Sequence, residues 1–218
     1  MSEYIFLFKN HSILDHSCDE MESKKKEFIA RGGYDEYGSF LHYACREGYF
    51  IVAKTLIENG ADINAKDKWD QTPLHSAVYS GFSKMVELLI NNKDTIVDAV
   101  DEWGQTPLHY ASEKGYLEII KKLISKKADV NTIDNYGNTP LHYASEEGYL
   151  KIVKLLVEHG ARLNSSNRRH YKPIDLTENE EIIKYLSSAK QMMDIRDVHS
   201  YFWVMVYNHP SNKRKNKN

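Results

Sequence analysis

Thr72-Pro73-Leu74-His75 is one of four copies of a single phrase; the others are Ser39-Phe40-Leu41-His42, Thr106-Pro107-Leu108-His109 and Thr139-Pro140-Leu141-His142. Leu41, Leu74, Leu108 and Leu141 follow one another at intervals of 33, 34 and 33 residues. A phrase returning at that period marks a chain stacked from identical supersecondary units, and it points to an extended binding surface rather than a catalytic cleft.

The stretch 67–99 shows what one unit does. Thr72 is a natural N-cap and Pro73 sits at the first helical position, where its missing N–H costs nothing. Leu74 and Ala77 make a narrow inner face, and Gly81 ends this short helix because it tolerates a left-handed backbone. A second helix follows, with Met85, Val86, Leu89 and Ile90 on one apolar stripe. That stripe recurs as Val52, Ala53, Leu56 and Ile57, as Ile119, Ile120, Leu123 and Ile124, and as Ile152, Val153, Leu156 and Val157. A pair of short helices cannot bury its stripe alone, so a neighbouring copy must cover it. Linkers such as Gly60-Ala61-Asp62-Ile63-Asn64 lead into polar turns such as Asp134-Asn135-Tyr136-Gly137, as a protruding hairpin needs.

The pattern T-P-L-H-x-A-x-x-x-G in the first helix and G-A-D-I-N in the linker resembles the ankyrin repeat, over about residues 35 to 189. The resemblance implies an all-α solenoid of stacked helix–turn–helix units with protruding β-hairpin fingers and a concave face that binds other proteins. On this reading residues 1–34 are an N-terminal helical cap. Repeats occupy 35–66, 67–100, 101–133 and 134–166, a truncated capping repeat covers 167–189, and 190–218 form a helix and a basic tail. Three departures stand out. The first copy lacks the proline. The second has an extra residue within Asn92-Lys93-Asp94-Thr95-Ile96-Val97-Asp98. Lys127 stands where other copies end the second helix with glycine, and a left-handed lysine costs roughly 1 kcal/mol.

The bulk numbers agree with a soluble intracellular protein. Of 218 residues, 29 are Lys or Arg and 31 Asp or Glu, for a formal charge of −2, so nothing in the total suggests nucleic acid or an anionic membrane. Cys18 and Cys45 form no C-x-x-C pair, which argues against a disulfide framework or a zinc module. No apolar run approaches the roughly 18 residues of a membrane span. The expected place is the cytoplasm, with the nucleus, or a host cytoplasm for an effector, as alternatives. The expected state without a partner is a monomer.

No residue set favours catalysis, a cofactor or a metal. G-x-S-x-G, H-E-x-x-H and glycine-rich phosphate loops do not occur. The aligned His42, His75, His109 and His142 stand about a helix spacing apart, roughly 8–10 Å, too far for nitrogens near 2.0 Å from one zinc. The resemblance instead implies structural roles for Thr72, Pro73, His75, Thr106, Pro107, His109, Thr139, Pro140 and His142, with each histidine bonding the Thr hydroxyl and finger backbone. Partner binding is expected from the residues that the phrase leaves free. In the finger turns these are Tyr37, Trp69, Trp103 and Tyr136; on the first helices they are Tyr43, Tyr79, Tyr110 and Tyr143. Arg46, Glu47, Glu113, Lys114, Glu146 and Glu147 would set selectivity around them, and their four acids against two bases lean towards a basic or amphipathic partner. Tyr49, Phe82, Tyr116 and Tyr149 read as packing between repeats. The expected function is a non-enzymatic protein-interaction scaffold. The alternative is a targeting subunit or effector of a virus or intracellular bacterium that recruits a host protein to a modification or degradation machine.

Overall fold

The computed structural model describes residues 34–35 and 38–191. Tyr37 and nearly all of the expected end segments, 1–34 and 190–218, lie outside the described residues. A two-residue strand β1 (Tyr34–Asp35) pairs antiparallel with β2 (Gly38–Ser39). Four helix pairs follow: α1 (Phe40–Glu47) with α2 (Phe50–Glu58), α3 (Pro73–Tyr79) with α4 (Ser83–Ile90), α5 (Pro107–Glu113) with α6 (Leu117–Ser125), and α7 (Pro140–Glu146) with α8 (Leu150–Glu158). A 3-10 turn (Pro173–Leu176) and a helix over residues 180–191, α9, complete the array. First helices pack on first helices and second on second, so the chain is an all-α solenoid.

Local chemistry starts each first helix in the same way. Thr72, Thr106 and Thr139 hold extended N-cap backbones and proline opens the helix. Three residues in, the histidine Nδ1 accepts the N-cap N–H at 3.1, 3.0 and 3.0 Å, the part that Glu or Gln plays in a capping box. Ser39 and His42 repeat the arrangement at 3.0 Å without the proline. The phrase leucines Leu41, Leu74, Leu108 and Leu141 are at most 1% exposed. The predicted stripes form the rest of the core, with Met85, Val86, Leu89, Ile119, Ile120, Leu123, Ile152, Val153 and Leu156 buried in one continuous cluster.

The joint between the helices explains the glycine–aromatic pairs. Gly81 and Gly115 lie at φ +75° and +76°, and an added Cβ would stand 2.9 Å from the Tyr116 ring and 2.7 Å from the Tyr149 ring. The aromatic after one unit's glycine thus rests on the preceding unit's glycine, the packing expected for these rings. Lys127 adopts φ +65°, the left-handed conformation expected where glycine is missing. The extra residue in the second unit is absorbed beyond α4, where the Thr95 hydroxyl donates to the Leu89 carbonyl at 2.6 Å. In the fifth unit the first helix shrinks to one 3-10 turn, and the Asp175 carboxylate takes the place of the imidazole, accepting the Lys172 N–H at 2.8 Å. Ile182 and Leu186 of α9 are buried, whereas Glu181, Ile183 and Lys184 are exposed.

Candidate binding face of fingers and first helices

Each finger is organised by one side chain at its root. Asp67 Oδ1 accepts the N–H groups of Trp69 and Gln71, both at 2.9 Å. Asp101 does the same for Trp103 and Gln105, Asp134 for Tyr136 and Asn138, and Asn167 for Arg169 and Tyr171. Two backbone bonds close each turn, such as Asp101 N–H to the Gln105 carbonyl at 3.1 Å and Gly104 N–H to the Asp101 carbonyl at 3.0 Å. Neighbouring fingers are linked too. Glu102, Asn135 and Arg168 N–H groups donate to the carbonyls of Trp69, Trp103 and Tyr136 at 2.9, 2.8 and 2.9 Å. The fingers are therefore tight turns bonded side by side; among the described residues only the first carries paired strands.

The histidines tie units together. Nε2 of His42, His75, His109 and His142 meets the carbonyls of Gln71, Gln105, Asn138 and Tyr171 at 3.0, 3.1, 3.2 and 3.2 Å, each in the following finger. A carbonyl only accepts, so Nε2 carries the proton and Nδ1 stays free to face the N-cap. The Thr hydroxyl lies 2.9 Å from Nδ1 in the three Thr copies. Burial depresses all four histidines below their ordinary 6.5, His75 to about 4. Both nitrogens of each ring are thus engaged, Nδ1 at the N-cap and Nε2 in the following finger.

The expected aromatic positions fall into two groups. Tyr110 is 7% exposed, and its hydroxyl donates to Asp101 Oδ2 at 2.7 Å while accepting from Gln71 Nε2 at 3.0 Å. Tyr143 repeats this with Asp134 at 2.6 Å and Gln105 at 2.7 Å. Burial, aided by the bonded carboxylate, pushes both phenols far up. These two hydroxyls link one finger to the preceding one, with Tyr110 buried and Tyr143 half-buried. Tyr79 and Tyr136 are 56% and 58% exposed, and Trp69 and Trp103 are half-buried at the fingertips. Lys68 Nζ stands 4.3 Å from the Trp69 ring centroid.

Charged neighbours gather on the first helices. Lys114 Nζ is 3.0 Å from Glu113 and 5.5 Å from the Tyr79 ring, and Tyr79 meets Tyr110 edge-on at 6.2 Å. Arg46 lies 3.5 Å from Glu47 and 5.8 Å from the Tyr43 ring. Glu146 and Glu147 are exposed on α7 and its cap. The first two clusters sit in register along the row of first helices, with the acids of α7 continuing it. The buried Cys45 thiol is pushed far up by desolvation, which leaves it an inert core residue.

Sequence reading missed the finger roots Asp67, Asp101 and Asp134 and the glutamines that meet the tyrosine hydroxyls. Their signal was present: an aspartate stands five residues before each motif threonine. It also missed Val100 and Ile133, 47% and 65% exposed, which immediately precede two of these aspartates.

The family pattern of ankyrin repeats matches residues 13–101, 41–134 and 93–167. An ankyrin repeat protein of Rickettsia bellii is 49% identical over 51 residues, 23% of this chain and 21% of that protein. The Arabidopsis thaliana potassium channel GORK is 43% identical over 54 residues, 25% of this chain and 7% of the channel. The 26S proteasome regulatory subunit p28 of Saccharomyces cerevisiae is 49% identical over 49 residues, 22% of each chain. The matched region therefore spans about a fifth or less of these relatives. Phrase, period, helix pairs, histidine struts and family pattern coincide: this chain belongs to the ankyrin-repeat family.

Proposed function

We propose that the chain is a non-enzymatic scaffold that holds another protein against the face formed by its fingertips and first helices. The observation that carries this reading is the division among the aromatics. The Tyr110 and Tyr143 hydroxyls are bonded between fingers, whereas Tyr79 and Tyr136 are exposed and Trp69 and Trp103 are half-buried. Rigid amphipathic rings standing in the open on a braced frame are the residues that anchor interfaces, because burying them costs little rotamer entropy. Glu113, Glu146 and Glu147 beside them favour a partner with a basic or amphipathic surface.

The test is capture from cell lysate by the immobilised chain, compared with a Trp69→Ala and Trp103→Ala double variant. Both substitutions keep the backbone carbonyls that link the fingers. The expected result is loss of the captured partner with little change in thermal melting. Capture that survives the double substitution would move the partner to another surface, and a collapsed melt would make the tryptophans structural.

A further inference from the structure

Charge is distributed unevenly along the finger edge. The corresponding stretches 59–74, 92–107 and 126–141 carry net charges of −1, −3 and 0. The next, 159–174, holds Arg162, Arg168, Arg169 and Lys172 and no carboxylate, for +4. The change has a specific structural basis. At the root of the last finger Asn167 replaces the aspartate, keeping the turn through bonds to Arg169 and Tyr171 N–H, both at 3.0 Å, while removing the negative charge. Its Nδ2 donates instead to Asn138 Oδ1 at 2.8 Å.

The cations of this finger are available. Arg162, Arg168, Arg169 and His170 are exposed, and among the described residues none of the three arginines lies in a salt bridge. Tyr171 beside them is 47% exposed. The main chain is open at the same place. The carbonyls of Trp69, Trp103 and Tyr136 each accept an N–H from the next finger, but among the described residues the equivalent Arg169 carbonyl accepts none. The last finger thus presents guanidinium groups, an exposed phenol and an unfilled main-chain acceptor on one edge.

We infer that this last finger is a docking site for an acidic polypeptide segment, whose carboxylates meet Arg168 and Arg169 while its backbone N–H continues the finger ladder at the Arg169 carbonyl. Guanidinium groups suit carboxylates because both are planar and can bond in pairs. A nucleic acid fits less well. The adjacent finger is neutral at Asn135-Tyr136, and the one before it carries Glu102 within the −3 stretch, so a long polyanion following the edge meets repulsion. A short acidic segment ends before that. The inference shares with the proposed function the view of the chain as an interaction module; it concerns the last finger of the row, where Arg169 takes the place of Trp69, Trp103 and Tyr136.

Fluorescence anisotropy with a fluorescein-labelled peptide of alternating Glu and Ala, at low salt, tests it. Binding is expected, with about tenfold weakening by Arg168→Glu with Arg169→Glu, from two lost and two repulsive charge contacts. Lys84→Glu with Lys151→Glu makes the same formal change at exposed sites on α4 and α8 and is expected to leave the affinity within about twofold. The Trp69→Ala and Trp103→Ala variant is expected to bind the peptide normally, whatever happens to its partner in lysate. Absence of peptide binding, equal weakening by both charge reversals, loss of peptide with the tryptophans, or tighter binding of a thymidine oligonucleotide of equal charge would each overturn the inference.

Discussion

Acid is expected to loosen this stack through its histidines before it reaches its carboxylates. His75 is 1% exposed, with Nδ1 accepting the Thr72 N–H and Nε2 donating to Gln105. Burial holds it at about 4, against 6.5 when exposed. The unfolded chain therefore binds a proton that the folded chain refuses, so stability is full above pH 6.5 and falls as the pH drops towards 4. Between pH 7.5 and pH 5 that difference amounts to roughly 2 kcal/mol for His75 alone. His42, His109 and His142 are depressed in the same direction by the same cause and steepen the slope. Urea unfolding followed by circular dichroism across this range measures the slope, and histidine NMR assigns it. In His75→Gln the amide can still reach the Thr72 N–H, and the variant should lose the His75 share of the pH dependence. A flat stability profile, or an NMR titration of folded His75 near 6.5, would refute the reasoning.

Two further substitutions probe the joints. Tyr110→Phe removes the hydroxyl bonded to the buried Asp101 carboxylate and should lower unfolding free energy by about 1.5–3 kcal/mol, measured in urea. A change within a few tenths would mean that the hydroxyl is not a brace. Gly115→Ala places a Cβ 2.7 Å from the Tyr149 ring on a left-handed backbone and should cost at least about 1–2 kcal/mol by the same assay. Unchanged stability would show that the ring can retreat freely.

Much of the fold was legible because its determinants are local and repeated. Thr72-Pro73, the apolar stripes and the joint glycines each specify a neighbouring backbone, and repetition revealed their common purpose. Lys127 was legible for the same reason: Gly60 and Gly160 hold its place in two other linkers, and both are left-handed. The site was harder to read. Tyr79 and Tyr110 carry the same ring, yet one is exposed and the other buried, because the Tyr110 hydroxyl finds Asp101 in its own unit and Gln71 39 residues earlier. That distinction depends on contacts across the stack, where sequence spacing alone does not say which face a ring meets. The last finger shows the converse: Arg168 and Arg169 were visible as charges, but that they stand exposed and outside any salt bridge among the described residues is a matter of the folded surface.

The histidine struts bear on how the chain could change length. His42 reaches Gln71 and His75 reaches Gln105, and both glutamines are followed by Thr-Pro-Leu-His. Excising residues 72–105 would join Gln71 directly to Thr106 and regenerate the local text without a seam. His42 would keep its acceptor, and Gly48 would receive Tyr116 in place of Phe82. The shortened chain should fold with a shorter face, so whole units can be lost or duplicated by recombination between the repeated phrases without designing a new junction.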